Sequence, residues 1–179
     1  MARMKELYSK TVAPELMKEL GLTNVHQIPR VTKVVVNAGV GRAALDAKKL
    51  EAVVKGLSEI TGQHPVITKA KKSIAGFKLR EGMSVGTTVT LRGDMMYEFL
   101  DRLVSVALPR VRDFRGIKKD AFDGHGNYSL GLREHGVFPE IPYEEASEPF
   151  GLQVNISTSA GSDEQAKALL KHLGFPFKG

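Results

Sequence analysis

Three short patterns in this chain place reactive residue types at spacings that could do chemistry. Gly39-Val40-Gly41-Arg42-Ala43-Ala44 fits G-x-G-x-x-G/A, the turn that lets backbone approach a pyrophosphate at a helix N-terminus. The following strand, however, ends at Lys69-Ala70, where a ribose would require an acid. The helix cap comes late, at Asp46, and βαβ units do not repeat. A nucleotide-binding enzyme using Gly39 to Ala44 therefore stands only as the alternative function. Gly82-Met83-Ser84-Val85-Gly86 matches G-x-S-x-G, but a nucleophile elbow needs a strand before the serine and a helix after it, and here a strand follows. His26, His64, His125, His135 and His172 show no metal-ligand spacing, and the paired acids Glu144-Glu145 and Asp163-Glu164 fall in a connection and a helix cap. The reading is of a protein that is not an enzyme, with no catalytic residues, metal or cofactor.

The third pattern is cationic. Thr68 to Arg80 contains Lys69, Lys71, Lys72, Lys78 and Arg80 with no acid among them, a mobile hairpin tip whose like charges are tolerated most easily beside a polyanion. A second cluster, Arg110, Arg112, Arg115, Lys118 and Lys119, lies in a long loop with only Asp113 and Asp120 nearby. Glu140, Glu144, Glu145 and Glu148 form an acidic stretch suited to a basic protein partner.

The whole chain agrees with these local signs. It has 179 residues, 42% of them apolar, enough for one core. Its formal net charge is +6, which suits a polyanionic partner. There is no cysteine, so disulfides, zinc ribbons and thiol nucleophiles are excluded and a reducing cytoplasm is expected. Neither a signal-peptide run nor a membrane-length apolar run is present, so the expectation is a soluble intracellular protein with no membrane partner.

The elements that must position these groups are legible from periodicity. The first 20 residues read as a helix kinked or restarted at Pro14 and stopped at Gly21. A strand runs from Arg30 to Asn37. A helix then carries Leu50, Val53, Val54, Leu57 and Ile60 on one face. Pro65 to Thr68 and Val85 to Arg92 read as strands. Asp94 is the expected N-cap of a helix that Pro109 should stop. Residues 110–127 are irregular. Tyr128 to Arg133 and a segment around Val154 and Ile156 read as strands. Ser162 to Gln165 opens a last helix as a capping box, and Gly174 ends it. The fold class expected is α+β, a single-domain two-layer sandwich of a mostly antiparallel sheet with helices on one face and the other face open.

Side chains alternate across a strand, so each predicted strand divides into two faces. One set is apolar. The other places together Lys33 and Asn37; Thr88, Thr90 and Arg92; Asn127, Ser129 and Arg133; and Gln153, Asn155 and Ser157. Short hydroxyl and amide groups with few acids among them suit 2′-hydroxyls and phosphates in a wide, shallow RNA minor groove. With no Trp in the chain, reading of folded RNA fits better than base stacking.

Several longer motifs occur in order. They are Asn37-Ala38-Gly39-Val40-Gly41, Thr68-Lys69-Ala70 with Ser73 to Lys78, Arg112-Asp113-Phe114-Arg115-Gly116, and Phe122-Asp123-Gly124 with Gly126-Asn127-Tyr128. Phe138-Pro139-Glu140-Ile141 and Gly174-Phe175-Pro176-Phe177 complete the set. In these the chain closely resembles the bacterial ribosomal protein L-five family. The resemblance implies a structural constituent of the large ribosomal subunit that attaches 5S rRNA in the central protuberance, beside 23S rRNA, as a monomer within the cytoplasmic ribosome. It makes Asn37, Gln63 and Thr90 RNA-reading residues, joined on the polar face by Lys33, Thr88 and Arg92. Without the family, Asn37 and Gln63 read as turn residues and Thr90 as a strand former. The resemblance further implies that Lys69, Lys71, Lys72, Ser73, Gly76, Phe77, Lys78 and Arg80 approach P-site tRNA. An intersubunit bridge to small-subunit protein thirteen would draw on Arg110, Arg112, Arg115, Glu140, Glu144 and Glu145. Residues 1–179 would then be one 5S rRNA-binding domain, with a basic loop at 69–82 and long connections at 109–127 and 134–153.

Overall fold

The computed structural model describes residues 2–41, 47–142 and 149–178. The helices are α1 (Arg3–Leu7), α2 (Ala13–Glu19), α3 (Ala47–Thr61), α4 (Gly93–Arg102), α5 (Leu108–Arg110) and α6 (Asp163–His172). The strands are β1 (Val31–Gly39), β2 (Val66–Lys69), β3 (Ser84–Leu91), β4 (Tyr128–Leu132) and β5 (Leu152–Thr158). They form one five-stranded sheet in the order β2-β3-β1-β5-β4. β2 and β3 pair antiparallel, with Val66 opposite Thr88 and Ile67 opposite Thr87. β5 also runs against β1: the Ser159 N–H donates to Arg30 O at 2.9 Å, and the Thr32 hydroxyl to Ser157 O at 3.0 Å. The α+β expectation holds, and β-branched residues supply the ladder as their propensity predicts.

The chain forms two compact units. The first comprises Met1–Val34, Leu91–Leu130 and Asn155–Gly179. Its core includes Leu16, Val34, Leu91, Phe99, Leu100, Leu103, Ile156 and Leu169, all fully buried. Between α1 and α2 the helix widens into a π turn at Tyr8–Val12, immediately before Pro14. Proline has no N–H, and the wider turn absorbs the missing bond without ending the helix. A second π turn, Leu103–Ala107, joins α4 to α5.

Two helix boundaries differ from expectation. Asp94 does not cap α4: Arg92 holds the N-cap position without a side-chain bond, while Asp94 pairs with Lys5. The hydrogen bond from Lys5, aided by its charge, holds the Asp94 carboxyl below the usual range. Pro109 does not stop the helix; it lies inside the last turn, and the chain leaves helix only at Val111. At α6, the Ser162 hydroxyl accepts from Gln165 N–H at 3.4 Å as a capping box requires, but Gln165 Oε1 reaches back to Gly161 N–H at 3.2 Å rather than to the N-cap itself.

The loop after α5 is anchored more firmly than its sequence suggests. Ile117 N–H donates to Pro176 O at 2.8 Å, and Lys178 N–H donates to Ile117 O at 3.0 Å. At Gly116, with φ +97°, a Cβ would lie 2.6 Å from Lys178 N. Phe122, Tyr128 and Phe177 close this region as an aromatic cluster, with ring centroids 4.8 to 6.3 Å apart. The Tyr128 hydroxyl donates to Lys118 O at 2.8 Å, and burial raises its pKa to about 12.

The second unit comprises Val35–Thr90 and Gly131–Val154. Val36, Ala38, Leu57, Ile60, Val89, Leu152, Val154 and Phe138 are buried there. A Cβ on Gly86 would meet Ala38 O at 2.7 Å, so this glycine is required by the close approach of β3 to β1. Its place in G-x-S-x-G thus has a packing cause. His135, missed as a core residue, is 2% exposed; it stacks on Phe150 at 3.8 Å, and its Nδ1 accepts the Phe150 N–H at 3.3 Å.

Candidate nucleic-acid interface

Strand alternation decides which side chains are available. On β1 the residues Val31, Val34, Val36 and Ala38 are buried, whereas Thr32, Lys33, Val35 and Asn37 are not. On β3, Thr87, Val89 and Leu91 point inward, and Thr88 and Thr90 lie on the opposite face. On β5, Gln153, Asn155 and Ser157 alternate with buried Leu152, Val154 and Ile156. The sheet therefore presents rows of short polar groups, as the alternation predicts.

Of the sequence-predicted RNA residues, Asn37, Gln63, Thr88 and Thr90 belong to the second unit, and Lys33 and Arg92 to the first. Thr90, Arg92 and Gln63 are exposed; Lys33, Asn37 and Thr88 are half-buried. Thr88 spends its hydroxyl on Val36 O, at a long 3.4 Å. Among the described residues, the side chains of Asn37, Gln63 and Thr90 have no hydrogen-bond partner. Gln63 is fixed by its backbone instead, since the Thr61 hydroxyl donates to Gln63 O at 3.1 Å. Polar groups held on a strand, as Asn37 and Thr90 are, or fixed by a backbone bond, as Gln63 is, have open hydrogen-bonding capacity pre-arranged for an external partner.

Asn127 leaves this set. Its Nδ2 donates to Asp123 Oδ2 at 2.7 Å and its Oδ1 accepts the Thr158 N–H at 3.2 Å, so the amide is committed within the protein. Alternation extended from Tyr128 assigns it to the polar face, but Asn127 precedes β4, and the turn there, which sequence periodicity does not resolve, consumes it.

The basic loop is built as a small hairpin in the second unit. Ala70 and Met83 pair at its base, the N–H of Ala70 donating to Met83 O at 2.8 Å. Ile74 and Leu79 exchange backbone bonds of 2.9 and 3.1 Å near the tip. The Ser73 hydroxyl accepts the Glu81 N–H at 2.9 Å, which gives Ser73 a local role. Lys78 takes a left-handed conformation, φ +53°, closing the turn. Lys69, Lys71, Lys72, Gly76, Lys78 and Arg80 are exposed. Phe77 is 76% exposed at the apex, an aromatic face offered to solvent among cations.

The predicted bridge residues do not fall in one unit. Arg110, Arg112 and Arg115 are exposed in the first unit, and Glu140 is half-buried in the second. Glu144 and Glu145 lie outside the described residues, as do Arg42, Ala43, Ala44 and Asp46 of the glycine motif. Sequence reasoning also missed Val66 and Ile67, exposed at 66% and 42% on the terminal strand; a short alternating run does not reveal that it ends a sheet. Among the described residues, no group of histidines and acids could hold a metal ion, and no helix is long and apolar enough to cross a membrane.

Comparison with known proteins defines the class. Residues 24–80 match the family model for ribosomal protein L5, and residues 84–177 match the model for the C-terminus of the same ribosomal family. These are ribosomal proteins, structural constituents and not enzymes, so the glycine motif is no nucleotide-dependent active site. The large ribosomal subunit protein uL5 of Chloroflexus aurantiacus is 59% identical over 176 residues, covering 98% of each chain. Those of Microcystis aeruginosa and Geobacter sulfurreducens are 55% and 57% identical over 98% and 99% of this chain and of their own lengths. The chain belongs to the ribosomal protein L5 family.

Proposed function

We propose that this protein is a structural component of the large ribosomal subunit in the cytoplasm that attaches 5S rRNA in the central protuberance, next to 23S rRNA. The observation that carries the reading is the set Asn37, Gln63 and Thr90: polar side chains in the second unit with no partner among the described residues, Asn37 and Thr90 on strands whose other face is apolar and buried and Gln63 in the connection just before β2. Short hydroxyls and amides fix register on folded RNA, and Lys33 and Arg92 add phosphate neutralisation. The exposed hairpin from Lys69 to Arg80, with Phe77 at its apex, serves a second RNA, the P-site tRNA. Arg110, Arg112, Arg115 and the acidic connection holding Glu140, Glu144 and Glu145 serve a bridge to small-subunit protein thirteen. The chain acts as a monomer within the ribosome and needs no cofactor.

Footprinting of 5S rRNA with the purified protein tests the central claim. Protection of a continuous helical or loop element is expected, abolished when Asn37 and Thr90 are changed together. Full protection by that double variant would remove the sheet face from the account.

A further inference from the structure

The sheet ends in a surface of a different character. β2 is the terminal strand. Antiparallel pairing engages alternate residues, so the remaining N–H and C=O groups of Val66–Lys69 point away from β3 along an edge that no described strand covers. Beside this edge lies a groove of about 610 Å³ between α3 and β2, with Leu50, Val54 and Ile67 as its apolar floor and Glu51, Lys55, Ser58, Glu59 and His64 at its sides. Glu59 Oε1 is ion-paired with Lys55 Nζ at 3.8 Å, whereas Glu59 Oε2 is shielded from water and accepts no hydrogen bond from the described residues.

Each feature specifies part of an occupant. A strand edge takes an extended backbone, which supplies the missing ladder bonds. An aliphatic floor takes aliphatic side chains at alternate positions, and a carboxylate short of donors takes lysine or arginine. RNA offers neither the backbone nor the aliphatic groups, and its phosphates would meet two carboxylates, Glu51 and Glu59, against the single ammonium of Lys55. We propose that an extended segment of another protein adds to β2 as a sixth strand, its groove-side positions holding aliphatic side chains and a lysine or arginine that reaches Glu59. The site lies within the second unit and does not depend on which RNA the polar strand faces bind.

The test places the photo-crosslinker p-benzoylphenylalanine at Ser58 in the full chain, assembles it into ribosomes, and sequences the crosslinked peptide by mass spectrometry after irradiation. The expected adduct is one protein segment with aliphatic residues at alternate positions and a lysine or arginine among them. Its yield should fall at least fivefold with Ile67→Lys, which puts a charge on the apolar floor. It should fall similarly with Glu59→Lys, which reverses the charge at the side of the groove; circular dichroism of both variants establishes that they fold. Adducts to RNA alone, adducts to a segment without a basic residue, yields unchanged in both variants, or a yield no higher than from the same probe at Lys167 on α6 would each overturn the proposal.

Discussion

Asp123 and Asn127 hold each other across the turn that launches β4. Asp123 Oδ1 accepts the Asn127 N–H at 3.0 Å, and Oδ2 accepts the Asn127 side-chain N–H at 2.7 Å. The same carboxylate takes the His125 N–H at 2.9 Å, while Asp163 on α6 takes the N–H groups of Gly124 and Gly126 at 3.1 and 2.8 Å. Two carboxylates thus organise one glycine-rich turn.

These bonds, the Asn127 side chain first, lower the Asp123 pKa from 3.8 to about 2. A depressed carboxyl contributes stability that is complete above its unfolded pKa and is lost as pH falls through the folded value. Asp123→Asn should therefore be less stable than the parent at pH 7, with the gap closing between about pH 4 and pH 2. Urea midpoints of both proteins across that interval give the answer; a gap independent of pH would contradict the assignment.

Gly116 sits at φ +97° against the backbone of Lys178. Adding one methyl group there imposes both backbone strain and a clash with main-chain atoms that cannot rotate away. Gly116→Ala should cost about 1–3 kcal/mol. Gly124→Ala, with φ +84° but nothing within 4 Å of the added carbon, should cost less. Chemical denaturation of the two variants should rank them in that order.

Removing the polar tips of the sheet should weaken RNA binding without unfolding the protein. Asn37→Ala and Thr90→Val are each expected to lose about 1–3 kcal/mol of 5S rRNA affinity, because the RNA group they meet would be left unpaired. Filter binding measures the loss and circular dichroism confirms the fold.

Replacing Lys71, Lys72 and Lys78 together by alanine should leave 5S binding intact and loosen P-site tRNA. All three are exposed on the hairpin, so stability should not change. The salt dependence of tRNA binding should flatten by roughly 0.7–0.9 in log–log slope for each phosphate that is no longer neutralised. An equal fall in 5S affinity would move the hairpin into the first interface.

Much of the architecture was legible because it rests on local periodicity. Val34, Val36, Val89, Val154 and Ile156 announce buried strand faces by alternation, and Leu50, Val53, Leu57 and Ile60 announce a helix face by their spacing. What was not legible depends on partners distant in sequence. Asp94 has the chemistry of a cap, yet Lys5, 89 positions away, claims it. Pro109 reads as a stop, but the π turn before it lets the helix continue to Arg110. In the site, alternation found Asn37, Thr88 and Thr90 on the polar face and misjudged Asn127, whose amide Asp123 and Thr158 occupy. The exposed edge at Val66 and Ile67 escaped notice because strand order is a property of the whole sheet.

The tether between Ile117 and residues 176–178 also sets a schedule. During synthesis, residues 110–120 emerge about sixty positions ahead of the backbone that completes them, so this basic segment must wait, unfinished, until Pro176 to Lys178 have been made. A nascent chain stalled before Pro176 would carry its arginines on an unanchored loop, and only copies that include residues 176–178 would present them in their final geometry.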